Sequence, residues 1–328
     1  MVANQTELKT VAVMTSGGDA PGMNPFIRAV VRSALAKNLR VLGIENGFEG
    51  LIHGSFRPMQ ARDVGGILQR GGTILQTSRC PEFCEPAGQS EAIRMINDAQ
   101  IDALVIAGGE GSLAGAQVLS ERGIRVIGVP ASIDNDVYGT DICIGVDTAL
   151  NTIVDAIDKL RDTASSHNLA FLVETMGRES GYLAVQAGIV TGAELVLVPE
   201  VDTPVEEVAM VIEKAYLRGK THCIVVVAEG AKPAANELAQ RINTLDTGFS
   251  TRVTILGHIQ RGGKPSAYDR LLASRLGFHA VELLAAGQSG VMAGLNGHDI
   301  IPVPLADVTT RKKELTLSSL EMARILAL

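Results

Sequence analysis

Cysteine is scarce in this chain, an excess of positive charge is missing, and no apolar run is long enough to cross a bilayer. The 328 residues hold four cysteines: Cys80, Cys84, Cys143 and Cys223. Cys80 and Cys84 lack the second pair that a zinc knuckle would need, so free buried or loop thiols are expected. So few cysteines in so long a chain fit a reducing cytosol. Lysine and arginine number 29 against 36 acids, a net charge of -7. That balance argues against a general nucleic-acid or membrane-surface binder. It leaves anionic ligands open, because local arginines can outweigh the average. No apolar run reaches the ~18 residues that span a membrane. The opening MVANQTELKT is polar and lacks a signal peptide's apolar core. A soluble cytoplasmic protein is expected. There is no internal repeat, low-complexity segment or obvious linker, so any division into two domains must arise by the chain crossing between them.

Apolar material is abundant, at 46% of residues. It comes in short β-branched runs: TVAVMT, RVLGIE, DALVIAGG, RVIGVP, AFLVET, ELVLVPE, CIVVVAEG and RVTILGH. Their near-continuous hydrophobicity predicts parallel strands covered on both faces. Helical patterns lie between them. In VDTALNTIVDAIDKL, residues Val146, Leu150, Ile153, Val154, Ile157 and Leu160 form one stripe, and the acids fall elsewhere. In NPFIRAVVRSALAKN, Asn24 can cap the helix and Pro25 suits its first turn. The β-α-β order gives an α/β fold with mostly parallel sheets, whose ligands collect beyond the C-terminal ends of the strands.

Three loops after strands carry chemistry. TSGGDAPGMN places two glycines before a helix N-terminus, where backbone N–H groups can meet phosphate. It lacks the G-x-x-x-x-G-K-[ST] pattern, and an ordinary tight turn is the plain alternative. AGGEGSLAGA repeats strand, glycines and helix, and Glu110 adds a carboxylate suited to Mg²⁺. Its glycines miss a dinucleotide fingerprint by one residue, which counts against a nicotinamide dehydrogenase. PASIDNDVYGTD sets Asp134 and Asp136 at i and i+2, on one side of an extended backbone. Paired acids so placed can divide the work of proton transfer and metal or water orientation. An Asp/Asn-rich turn is the alternative. Arg178, Arg252, His258 and Arg261 lie in or near later strand-end loops, and arginine suits bidentate contacts to phosphate. Glycine loops, acids and arginines together point to phosphoryl transfer.

TSGGDAPGMN, GGTILQTSRCPEF, AGGEGSLAGA, PASIDNDVYGTD, ETMGRESGYLA and LGHIQRGG resemble, in order, the motifs of the phosphofructokinase family over essentially the whole chain. The resemblance implies two Rossmann-like α/β domains with mostly parallel sheets. A larger nucleotide-binding domain would take 1–145 and 258–310, and a smaller sugar-phosphate domain 146–257 and 311–328. It implies transfer of phosphoryl from Mg-ATP to the 1-hydroxyl of fructose 6-phosphate, in a homotetramer with shared sites.

By that resemblance Asp134 is the base, Asp136 helps hold Mg²⁺ with Glu110, and Arg178 stabilises the transferring charge. Ser132 stands where the family usually has threonine, donating to the phosphoryl group, and the Gly18 N–H meets the terminal phosphates. Arg79, Cys80, Gly109, Glu110, Gly111 and Ser112 fall at the nucleotide site. Met176, Gly177, Glu229, Arg252, His258 and Arg261 match sugar-phosphate contacts. Arg28, Arg32, Arg161, Arg218 and Lys220 match a basic effector site for nucleoside diphosphate or phosphoenolpyruvate. Gly111 and Ala131 are small where pyrophosphate-using relatives typically carry Asp and Lys, which implies ATP as donor.

Three positions depart from the family pattern. Glu110 replaces a typical aspartate and sets its carboxylate roughly 1.5 Å further out. Leu169 replaces an arginine that reaches the sugar phosphate across a subunit interface. Cys84 stands where a basic residue is common. They keep two other readings open: a weakly active or non-catalytic paralogue that binds nucleotide or sugar phosphate as a regulatory subunit, and a kinase with another sugar-phosphate acceptor.

Overall fold

The computed structural model describes residues 8–327. In chain order the strands are β1 (Thr10–Thr15), β2 (Arg40–Ile44), β3 (Phe56–Pro58), β4 (Ala103–Gly108), β5 (Arg125–Pro130), β6 (Leu169–Thr175), β7 (Leu195–Leu197), β8 (Cys223–Ala228), β9 (Ser250–Ile255), β10 (Val291–Asn296) and β11 (Asp299–Pro304). The helices are α1 (Met23–Ala36), α2 (Gly47–His53), α3 (Pro86–Asp98), α4 (Glu110–Glu121), α5 (Val146–His167), α6 (Tyr182–Thr191), α7 (Val205–Leu217), α8 (Ala235–Ile242), α9 (Ala267–Ala285), α10 (Leu305–Thr310) and α11 (Leu317–Leu326).

The chain divides into two compact units. The first takes the chain up to Ser132, then Asp136–Asp147 and Arg261–Lys313; the second takes Ile133–Asn135, Thr148–Gln260 and the residues from Glu314 on. The first unit is built on a seven-stranded sheet of order β11-β10-β5-β4-β1-β2-β3. β1 and β4 are buried along their whole length, as strands covered on both faces must be. The chain moves from β1 outward to β2 and from β4 the other way to β5. The loops after β1 and β4 therefore part at a topological switch point, where such sheets take ligands. The second unit holds a four-stranded parallel sheet, β7-β8-β6-β9.

Each predicted run contains a strand, but three strands have no counterpart among those runs: β3, β10 and β11. β3 and β11 join the first sheet through antiparallel pairs, β2–β3 and β10–β11, and β10 pairs in parallel with β5. The β10–β11 hairpin turns through Gly297 and His298. Gly297, at φ 58°, takes the left-handed first central position that a two-residue hairpin turn favours.

Helix α5 buries Val146, Ile153 and Ile157 and half-buries Leu150, Val154 and Leu160. Each of the buried isoleucines contributes about 2 kcal/mol. Helix α5 runs on to His167, past the end of the apolar stripe. Asn24 is not the cap of α1. Gly22 holds that place in the left-handed region, and Asn24 is a buried residue of the first turn. The Asn24 amide donates to the carbonyls of Arg70 and Gly71 and its Oδ1 accepts from Ile74 N–H. It ties a long loop to the helix, a use that its position in the sequence does not reveal.

Candidate active site

The first unit gathers backbone. The loops after β1 and β4 touch: Ser16 N–H donates to the Ala107 carbonyl at 2.9 Å. Thr77 Oγ1 donates to the Gly17 carbonyl at 2.8 Å, drawing the loop that carries Arg79 and Cys80 toward the same place. A Cβ on Gly18 would collide with the guanidinium of Arg261, so this glycine is there because a side chain crosses it. Arg261 Nη1 donates to the Asp19 carbonyl at 3.2 Å. The residue expected among the sugar-phosphate contacts thus lies over the first glycine loop. Gly109 caps α4, exposed Glu110 opens it, and Ser112 is buried within its first turn. A Cβ on Gly111 would meet nothing within 4 Å. Arg79 is exposed, and burial pushes the Cys80 thiol above its ordinary range. Exposed Cys84 ends a short turn of 3₁₀ helix in which Phe83 stacks on Phe48 at 4.2 Å.

The loop from Ser132 follows β5. It leaves and returns at one point, because Ala131 bridges to Ile144. Ser132 and Asp134 are buried and Asp136 is half-buried. The extended backbone assumed for Asp134 and Asp136 is broken by Asn135, which sits in the left-handed region at φ 52°. The two acids therefore do not share one side of a strand, and the chain passes from the first unit to the second and back within these residues. Asp136 Oδ1 is buried and has no hydrogen-bond partner among the described residues, so it can accept a cation. Among the described residues no three acids, histidines or cysteines cluster as a metal site. Mg²⁺ needs only one or two carboxylates when substrate phosphates complete its shell.

The second unit gathers side chains. Arg178 Nε lies 3.5 Å from Asp134 Oδ2; the acid is 3% exposed and the arginine 63%. Arg178 sits at φ 53° and Gly177 at φ 146°, a strained turn after β6. Glu229, following β8, holds that turn. Its Oε1 accepts from Gly177 N–H at 3.3 Å and from Arg178 N–H at 2.6 Å. Gln260, fully buried, accepts from Met176 N–H at 3.2 Å and donates to the Gly257 carbonyl at 2.9 Å. It stands between exposed Ile259 and half-buried Arg261 in the short 3₁₀ helix that carries exposed His258. Sequence reasoning missed Gln260; its signal is a lone amide beside HI in a loop where cations draw the eye. Arg252 is exposed on β9 and its Nη1 donates to Ser250 Oγ at 2.8 Å. Ser250 is the register partner of Leu169.

Of the basic residues, Arg28 and Arg32 belong to α1 in the first unit, whereas Arg161, Arg218 and Lys220 belong to the second. A cavity of ≈ 250 Å³ in the second unit is lined by Arg218 and Lys220 together with Lys214, Arg324, Glu194 and Glu207. Lys220 Nζ meets Glu194 Oε1 at 2.9 Å. Beside it, burial lowers the His222 pKa, against the pull of Glu194.

Helix N-termini behind glycine turns on one sheet, and an acid–arginine pair beyond the other, are the equipment of phosphoryl transfer. The family model described as "Phosphofructokinase" matches residues 10–284. The chain is 49% identical over 324 residues to the ATP-dependent 6-phosphofructokinase of Thermotoga neapolitana, covering 98% of this chain and 100% of that one. It is 48% identical over 321 residues to the ATP-dependent 6-phosphofructokinase of Clostridioides difficile, covering 98% and 100%. Among solved structures, Pichia pastoris phosphofructokinase in the T-state superposes with a TM-score of 0.87 at 38% identity. That match takes in 94% of this chain, which spans 38% of the Pichia chain. A pyrophosphate-dependent phosphofructokinase from Nitrosospira multiformis shares the fold, with a TM-score of 0.85 at 19% identity over 98% of this chain and 92% of its own. The chain belongs to the phosphofructokinase family.

Proposed function

We propose that the chain is an ATP-dependent 6-phosphofructokinase. It transfers the terminal phosphoryl of ATP to the 1-hydroxyl of fructose 6-phosphate, giving fructose 1,6-bisphosphate and ADP. The observation that carries this reading is Asp134, buried beside Arg178 at 3.5 Å in a chain that follows the family from end to end. The Asp134 carboxylate takes the hydroxyl proton as the sugar oxygen bonds to phosphorus and the bond to the β-phosphate oxygen breaks. Arg178 meets the charge on the moving phosphoryl group, and Ser132 donates to it.

On this reading the first unit is the nucleotide domain. Gly18, Gly109, Gly111 and Ser112 offer backbone and hydroxyl to the phosphates and nucleoside, with Arg79 and Cys80 beside them. The open space at Gly111 suits a nucleoside, which fits ATP rather than pyrophosphate as donor. Asp136 and Glu110 would hold Mg²⁺, whose charge offsets that of the phosphates. The second unit is the sugar-phosphate domain, with Met176, Gly177, Glu229, Arg252 and His258 as contacts; Arg261, of the first unit, is a further contact of the sugar phosphate.

The basic cavity of Arg218 and Lys220 takes an anionic effector, a nucleoside diphosphate or phosphoenolpyruvate. Arg28 and Arg32 complete it from a neighbouring subunit of a homotetramer, and Arg161, which with Lys220 acts on the His222 ring, adds positive charge in the same unit. Among the described residues no helix is long and apolar enough to cross a membrane. A coupled assay across ATP, pyrophosphate and a panel of sugar phosphates tests the reading. Turnover is expected with Mg-ATP and fructose 6-phosphate; no turnover with that pair while both bind would sink it.

A further inference from the structure

The acid of the loop without a chemical task is Asp141. Its groups are nonetheless used by parts of the chain more than 150 residues away. Asp141 N–H donates to the Leu295 carbonyl at 2.8 Å, on β10. Asp141 Oδ2 accepts from Gly297 N–H at 2.6 Å, in the hairpin turn. Asp141 O accepts from Lys313 Nζ at 2.8 Å. One residue earlier, Thr140 Oγ1 accepts from Leu295 N–H at 3.1 Å. Two residues before Lys313, Arg311 Nη1 donates to the Tyr138 hydroxyl at 2.9 Å, its guanidinium 5.4 Å from the ring centre. The segment Arg311–Lys313 therefore straps the outer arm of the loop from one side while the β10–β11 hairpin holds it from the other. All of these residues belong to the first unit, and the chain leaves that unit after Lys313.

Lys313 is half-buried, and the carboxylates of Asp141 and Asp136 favour the charged form of its ammonium. A lysine desolvates its stem and head only against partners that repay the loss. Here the partner is the carbonyl of Asp141. Exposed Lys312, its neighbour, has no part in this arrangement.

We propose that Lys313 is a positioning residue for the reaction: bonded to the Asp141 carbonyl, it fixes the arm of the loop that carries Asp136. This rests on the reading of Asp134 and Asp136 given above. The loop's two ends are joined at Ala131 and Ile144, so its far side is where it can shift. A shift of about 1 Å at a reacting group costs on the order of 100-fold in rate.

The test uses the full chain, four single variants and the double variant Asp141→Asn with Lys313→Met. Lys313→Met keeps the stem and removes the charge, Lys313→Arg restores a donor, and Lys312→Met is the control. Lys313→Met is expected to lower kcat by about 10- to 100-fold while KM for both substrates and the melting temperature hardly move. Lys313→Arg should recover most of the rate, and Lys312→Met should match the parent. Hydrogen exchange in the absence of substrates supplies a readout independent of activity. The Asp141 and Gly297 amides should exchange faster in Lys313→Met, with those of β4 and β5 unchanged. Asp141→Asn approaches the same anchor from the other side, and its effect on kcat should add to that of Lys313→Met less than fully. A parent inactive with every donor and acceptor would overturn the functional reading and leave the exchange result to judge the anchor. Unchanged exchange, an unchanged kcat, or fully additive effects would overturn the role of Lys313.

Discussion

The two units present their candidate ligand groups in opposite ways. The first offers main chain: glycines at the ends of β1 and β4, the start of α4, and little side chain in between. The second offers side chains: Asp134, and Arg178 on a strained turn held by Glu229 and Gln260. A site made of main chain is specified by what must be absent, since any Cβ on Gly18 would meet Arg261. A site made of side chains is specified by its braces, because a turn with Arg178 at φ 53° needs outside support. The difference teaches where each side is vulnerable: the first to added atoms, the second to lost hydrogen bonds.

The largest effect should come from Asp134→Asn, which keeps the shape and removes the base. We expect kcat to fall by about 10²- to 10⁴-fold, with circular dichroism and melting temperature near those of the parent. Next is Glu229→Ala, which takes the acceptor from two backbone N–H groups. A lost charged hydrogen bond is worth about 1.5–3 kcal/mol. KM for the sugar phosphate should rise by at least about tenfold with KM for ATP unchanged, and Glu229→Gln should restore part of it. A matching rise in both constants would break the comparison between the units.

Leu169→Arg should work in the other direction. It adds a cation beside Ser250, where Arg252 is already engaged, and should lower KM for fructose 6-phosphate by up to about tenfold. No change in that constant would remove Leu169 from the acceptor side. The smallest effect is expected from Gly18→Ala. The group in the way is the end of the flexible Arg261, which can yield, so KM for ATP and, through Arg261, KM for the sugar phosphate should each rise only a few-fold.

Much of the fold could be read from the residues, because buried parallel strands announce themselves as runs such as TVAVMT and CIVVVA. β3, β10 and β11 were harder. VMAGLNGHDIIPVP mixes glycine and proline into a hairpin whose second strand is half-exposed, so it does not read as one continuous buried run. Helix α5 outran its apolar stripe because its last turns, RDTASSH, carry mostly exposed polar residues. In the candidate site, the glycines and charged residues stood out by type and spacing. The residues that hold them did not. Asn24, Gln260 and Lys313 each serve backbone groups 46 to 172 positions away, and nothing local marks them. The left-handed Asn135 was equally hidden, though asparagine is among the few residues that tolerate that conformation.

The chain's route between the units has a consequence for its birth on the ribosome. The strands of the second sheet, Leu169 to Ile255, are all made before Val291 begins β10. The first sheet, begun at Thr10, must wait for those strands before β10 can pair with β5 at Ile127 and Gly128. The second unit waits too, because α11, which packs on α6 and β7, is translated after β10 and β11. Neither unit is finished before the other, so a nascent chain halted between Ile255 and Val291 would carry one nearly whole sheet and one with an open edge at β5, a target for chaperones.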